Sequence, residues 1–163
     1  MNSTKDLLLI LASICFVVVF GAAVYEHIAV VPVWSAGPPA SLHIFQGDHA
    51  LKAENFWMMI HPITLLFMIG ALVVNWRTAR KRNILTVLIC YALILAITTV
   101  YFVPQLIGFM ETPYNDTVDA DLTSRAGMWE MLSIIRMVFI AILAYLLLKS
   151  LTISNAITVE VVR

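Results

Sequence analysis

The chain has 163 residues, 61% of them hydrophobic and 12% charged, with ten basic side chains against ten acidic ones. Soluble domains run about 45–50% apolar and about 25% charged, so an ordinary soluble fold is excluded. A formal net charge of zero leaves no basic field for nucleic acid, and a mean hydropathy of +0.93 points to lipid as the solvent.

A bilayer core needs roughly 20 apolar residues to cross it as a helix. Four runs meet that length, at about 7–34, 56–76, 84–103 and 128–149. They lack the ten-residue alternation of barrel strands. The sequence therefore predicts an all-α, integral membrane four-helix bundle forming a single transmembrane domain over 1–163.

The first run, Leu7–Tyr25 continuing to Trp34, holds "FGAA", which resembles a small-residue cleavage site. Its apolar stretch is longer than a signal peptide needs, and Lys5 is offset by Asp6, so a retained first helix is expected. Its outer end reads "YEHIAVVPVW". Pro32 and Trp34 mark the interface, where Trp is enriched, and Glu26 then lies about 12 Å inside it at 1.5 Å per residue. Glu26 and His27 are separated by about 100° around the axis. Glu26 shares a stripe with Ala22, Ala29 and Val30, and the small residues Ala22, Ala23 and Ala29 permit close packing. Glu26 is expected to face inward, His27 towards a neighbouring helix or the interface.

In the outer loop 35–55, Pro38-Pro39 bars continuation of the helix. "ASLHIF" is expected as a short helix or strand, with His43 and His49 as polar loop groups. On the second run Trp57, His61, Thr64 and Met68 form one stripe, with His61 about 7.5 Å deep counted from Phe56. The loop 77–83, "RTARKRN", carries Arg77, Arg80, Lys81 and Arg82, and short basic loops stay cytoplasmic. Both termini then lie inside, with Lys5, Lys149 and Arg163. The outer loops carry Asp48, Glu54, Glu111, Asp116, Asp119 and Asp121 against Lys52 and Arg125. A multi-pass protein of the bacterial inner (cytoplasmic) membrane, N-in and C-in, is expected.

The third run places Thr98, Thr99 and Tyr101 in its outer half. The outer loop 104–127 holds Pro104, Pro113 and three aspartates whose spacing lacks the Gly and terminal Glu of an EF-hand loop. Asn115-Asp116-Thr117 matches a glycosylation sequon. On the fourth run Trp129, Ser133 and Arg136 share a face, with Glu130 about 120° from Arg136. Cys15 and Cys90 sit in apolar runs as small buried residues, and no zinc spacing occurs. No internal repeat stands out.

Every strongly polar group within a span lies in its outer half, and intramembrane ionisable groups are functional by default. Gluing helices with polar pairs yields only about 0.6 kcal/mol each, a modest return for burying ions. The expected inward set is Glu26, His61, Tyr101, Glu130 and Arg136. Glu26, His61, Glu130 and Arg136 are the candidate catalytic residues, and Trp57, Tyr101 and Trp129 would accept a flat lipophilic substrate. Glu26 or His61 would move a proton while Arg136 stabilises a developing oxyanion. Glu26, His61 and Glu130 could instead hold a divalent metal. Against that, Arg136 disfavours a cation, and the Glu-x-x-His repeat of di-iron bundles is missing. No other cofactor motif is present. Met58, Met59, Met128 and Met131 near the outer surface read as adaptable packing rather than a copper cluster. Without a repeat or a broken helix pair, transport is disfavoured.

The stretches "YEHIAVVPVWSAGPPASL", "FWMMIHP", "NWRTARKRN", "YFVPQL" and "SRAGMWEMLSIIR" together resemble the DUF1772 (anthrone-oxygenase-like) family of small four-helix bacterial membrane proteins. The likeness spans nearly the whole chain and rests on Gly21, Pro32, Trp34, Arg125 and Trp129. It implies a four-helix bundle and, for some relatives, oxygenation of an anthrone-type aromatic without an obvious metal or flavin. The expectation is an oxidoreductase or oxygenase-like enzyme acting on a small lipophilic molecule. The alternative is a non-catalytic ligand-binding or accessory subunit of a membrane complex, its protein partner or self-association unspecified.

Overall fold

The computed structural model describes residues 3–154, and among them there is no β-strand. Arg163, expected on the inner side, lies outside the described residues. Four helices are long and apolar enough to cross a membrane, Thr4–Ser35, Glu54–Val74, Lys81–Met110 and Ala120–Ser150. The chain is an all-helical, multi-pass membrane protein by length and composition of these spans.

The spans run further than the apolar runs alone. Pro104, expected in the outer loop, lies inside the third span because the helix widens before it. Thr98–Phe102 forms a π turn, in which the Val103 N–H reaches back five residues to the Thr98 carbonyl. Pro104 follows within the first turn of the next α segment, where a missing N–H is tolerated. The first span is built the same way. Glu26–Val30 is a π turn, the Val31 N–H donates to the Glu26 carbonyl, and Pro32 follows. Two widened helices thus stand where the sequence offered no broken pair, and the turns begin and end 72 residues apart. The fourth span starts at Ala120, well before its apolar run. Asp119 caps it, its carboxylate accepting the Leu122 N–H at 2.9 Å. "ASLHIF" is a 3-10 helix, Ala40–Phe45.

The described residues pack as two compact units. One comprises 3–20, 57–92 and 140–154. Its first-span face Leu9, Ala12, Phe16 and Val19 is fully buried at helical spacing, as are Met68, Ala71, Ile84, Val87 and Leu147. Asn75, also buried, donates to the carbonyls of Ala71 and Lys5. Arg80 is only 5% exposed although it belongs to the basic loop. Its Nη1 bonds the Asp6 carboxylate at 2.6 Å, while Nε and Nη2 donate to the carbonyls of Ile153 and Leu151. One guanidinium therefore serves the acidic first turn of the first span and the open carbonyls just beyond the last, both suited to a cation there. Arg77 and Arg82 are exposed, and the Lys81 ammonium lies 3.8 Å over the Trp76 ring.

The other unit comprises 21–56 and 93–139. Its core is Val31, Trp34, Leu42, Phe102, Phe109, Ala126 and Trp129. Trp34, 1% exposed, is the hub, with ring centroids of Trp129, Phe109 and Phe45 at 5.3, 5.4 and 6.1 Å. Pro32 and the π turn before it aim Trp34 into this cluster rather than leave it as a simple interface marker. Ser41 holds the exit, accepting from the Gly37 N–H and donating to the Trp34 carbonyl.

Candidate functional site

Arg136 is the centre of the polar residues in the second unit. A guanidinium presents five N–H donors in a fixed fork, and here two ends are occupied by hydroxyls. Nη1 donates to Thr98 Oγ1 at 3.0 Å and Nη2 to Ser133 Oγ at 2.7 Å. Its Cζ sits 4.0 Å over the Phe102 ring, a cation–π contact. The charge of Glu26 acts favourably on it as well. Thr98 and Phe102 are the first and last residues of one π turn, and Glu26 opens the other.

The local sequence explains the placement. Thr98 accepts from Arg136 while its own hydroxyl donates to the Ile94 carbonyl at 2.8 Å, a bond that replaces an amide donor lost to the widened turn. Ser133, one turn before Arg136 on the same helix face, is fully buried. Phe102 is fastened from both sides, since the Trp129 indole N–H donates to its carbonyl at 3.1 Å and the rings meet edge-on at 5.7 Å. The π turn is therefore locked by the fourth span at its carbonyl, its ring and its first hydroxyl.

The other expected residues fall in several places. Glu130 accepts the Ser35 hydroxyl at 2.9 Å, at the end of the first span. Tyr101 is 37% exposed with its ring edge on Phe102, and Trp129 belongs to the aromatic core. Trp57 and His61 lie in the first unit, stacked on each other at 5.2 Å. There His61 Nδ1 meets the Tyr91 hydroxyl at 2.7 Å, and Tyr91 is wholly buried with its ring against Phe16. The structure thus groups Glu26 and Arg136 with Thr98, Ser133 and Phe102. It also groups His61 and Trp57 with Tyr91.

Tyr91 escaped sequence reasoning, though a lone tyrosine in "LICYALIL" is the signal that could have found it. Ser35 as the partner of Glu130 had no such signal. Among the described residues no cluster of three or more His, Cys, Asp or Glu side chains is placed to hold a metal ion. His43 is exposed, its Nδ1 donating to the Ala40 carbonyl. Met58, Met59, Met128 and Met131 are all exposed on the surface.

No protein-family model, curated protein or solved structure matches this chain. The residues themselves carry the functional argument.

Proposed function

We propose that this is a protein of a bacterial cytoplasmic membrane, both ends inside, whose outer helical half binds a small lipophilic molecule and acts on it as an oxidoreductase or oxygenase-like enzyme. The observation that carries the reading is Arg136. It lies within a membrane span, held by Thr98, Ser133 and Phe102, with Glu26 acting on it electrostatically. Ionisable groups in such spans mark functional sites, and π turns such as the two that carry Glu26 and Thr98 recur there. Arg136 is the group for a developing oxyanion and Glu26 the group to move a proton. Tyr101 and Trp129 offer aromatic surface, and the His61–Tyr91 hydrogen bond is a second route for a proton. Exposed Arg77 and Arg82 support the inner placement of their loop. The resemblance to the DUF1772 family supports an aromatic substrate, and only by analogy. One observation favours the non-catalytic alternative: both ends of the Arg136 fork are already taken by its own neighbours.

Anthrone itself is the probe. With the protein in lipid nanodiscs, the reading expects saturable binding and anthrone-dependent oxygen uptake. Arg136→Lys and Glu26→Gln should each lose uptake with little change in melting temperature. Binding without uptake would leave the accessory reading. Absence of saturable binding, or wild-type behaviour in both variants, would overturn the site.

A further inference from the structure

The two π turns allow a residue-by-residue comparison. At a separation of 72 residues Val31-Pro32 falls on Val103-Pro104, and on the helices that follow Trp57 falls on Trp129, Met59 on Met131 and Phe67 on Phe139. Glu26-His27 falls on Thr98-Thr99. The correspondence extends to bonding. His27 Nδ1 meets the Ala23 carbonyl at 2.7 Å, and Thr99 Oγ1 donates to the Leu95 carbonyl at 2.9 Å. Ala23 and Leu95 are equivalent positions in the same register. Each side chain gives a hydrogen to a carbonyl whose usual amide donor the wider turn displaces. A hydroxyl suffices for that role, as the second half demonstrates. The histidine fills it with one ring nitrogen and has another left.

That second nitrogen, Nε2, is buried and has no hydrogen-bond partner among the described residues. A carbonyl can only accept, so the bond to Ala23 puts the hydrogen on Nδ1 and leaves Nε2 as a lone pair. Buried acceptors in native structures are nearly always met, and an unmet one calls for an explanation. A metal ion is a poor one, because no second or third ligand is grouped with it among the described residues. An O–H donor fits the lone pair. The helix around it is apolar, with Ala23 and Val31 both buried one turn to either side.

We propose that the chain is an internally duplicated helical hairpin in which His27 has become a ligand contact. Its Nε2 accepts a hydrogen bond from the hydroxyl of a lipophilic phenol, at the position where the second half keeps threonine. The proposal rests on the reading that this half of the molecule binds a small lipophilic molecule, and it names the class.

The test uses 1-naphthol and its methyl ether, which differ in the donor, titrated into the protein in nanodiscs. Wild type should bind naphthol at least tenfold more tightly than the ether. His27→Thr, which borrows the second half's residue and keeps a donor for Ala23, should melt as wild type does and lose the preference. In protein with ring-15N histidine, the His27 Nε2 resonance should move with naphthol and stay with the ether. Equal affinities in wild type, a preference that survives His27→Thr, or a resonance unmoved by naphthol each overturns the proposal. Should His27→Thr fail to fold, the wild-type resonance decides. Saturable, Arg136-dependent binding of both probes with no preference rejects the role of His27 alone. Loss of saturable binding for both rejects the site as a whole.

Discussion

Replacing Arg136 by Gln removes two charge-assisted hydrogen bonds, a cation–π contact and the counter-charge of Glu26 at one stroke. Hydrogen bonds between membrane helices measure about 0.6–1.7 kcal/mol each, and a desolvated cation–π contact about 2 kcal/mol. The contacts alone therefore predict a loss of about 3–4 kcal/mol in Arg136→Gln. Leaving the Glu26 carboxylate without its counter-charge adds to it, since breaking one side of a buried ion pair costs about 3–5 kcal/mol in all. Glu26→Gln alone loses less, because a guanidinium keeps Thr98, Ser133 and Phe102. The informative quantity is the coupling. Glu26→Gln in the Arg136→Gln background should restore about 1–3 kcal/mol, as expected for residues that share a network. Unfolding equilibria in bicelles, measured for the wild type and all three variants, read this directly. Additive losses would refute the electrostatic coupling and reduce Arg136 to a hydrogen-bonding side chain.

Other expectations follow from single residues. Arg80→Met should cost about 3–5 kcal/mol, because it leaves Asp6 and the carbonyls of Leu151 and Ile153 without their shared donor; thermal melting in detergent measures it. Trp34→Ala should lose about 3–5 kcal/mol by opening a cavity among Trp129, Phe109 and Phe45, with a matching fall in melting temperature. The Tyr114 phenol donates to Asp116, whose charge raises its pKa above that of an ordinary tyrosine. Its tyrosinate absorbance should therefore appear at higher pH than in Asp116→Asn, where removing the carboxylate lowers the transition.

How far the sequence could be read depended on which kind of physics set each feature. Hydrocarbon thickness sets the length of an apolar run, so the four spans were legible from composition alone. Their ends were not. Asp119 starts the fourth span eight residues before the expected Gly127–Met128 boundary through one cap bond, and Pro104 stays helical because the chain can widen before it. Proline announces a break without saying whether the helix ends or merely loses an amide. The same ambiguity hid the broken helix pair and, with it, the recurrence that bears on transport. Depth counting placed Glu26, Thr98 and Arg136 in the outer half, and Thr98 and Arg136 are joined by a hydrogen bond. Angular counting at 100° per residue was least useful at Glu26-His27, because a π turn changes the rotation there. His27, expected to point away from the site, keeps one nitrogen on its own helix and buries the other.

Arg80 also bears on the order in which the molecule can be put together. Its partners are Asp6 at the start of the first span and carbonyls just past the end of the fourth, while it sits between the second and third. While only two spans have entered the bilayer, this cation is free to remain in water with the rest of its basic loop. It becomes enclosed only once the fourth span arrives and brings its carbonyls. The fastening is therefore a closing step of assembly, and a chain halted after its third span lacks two of the three groups that hold its first helix in place.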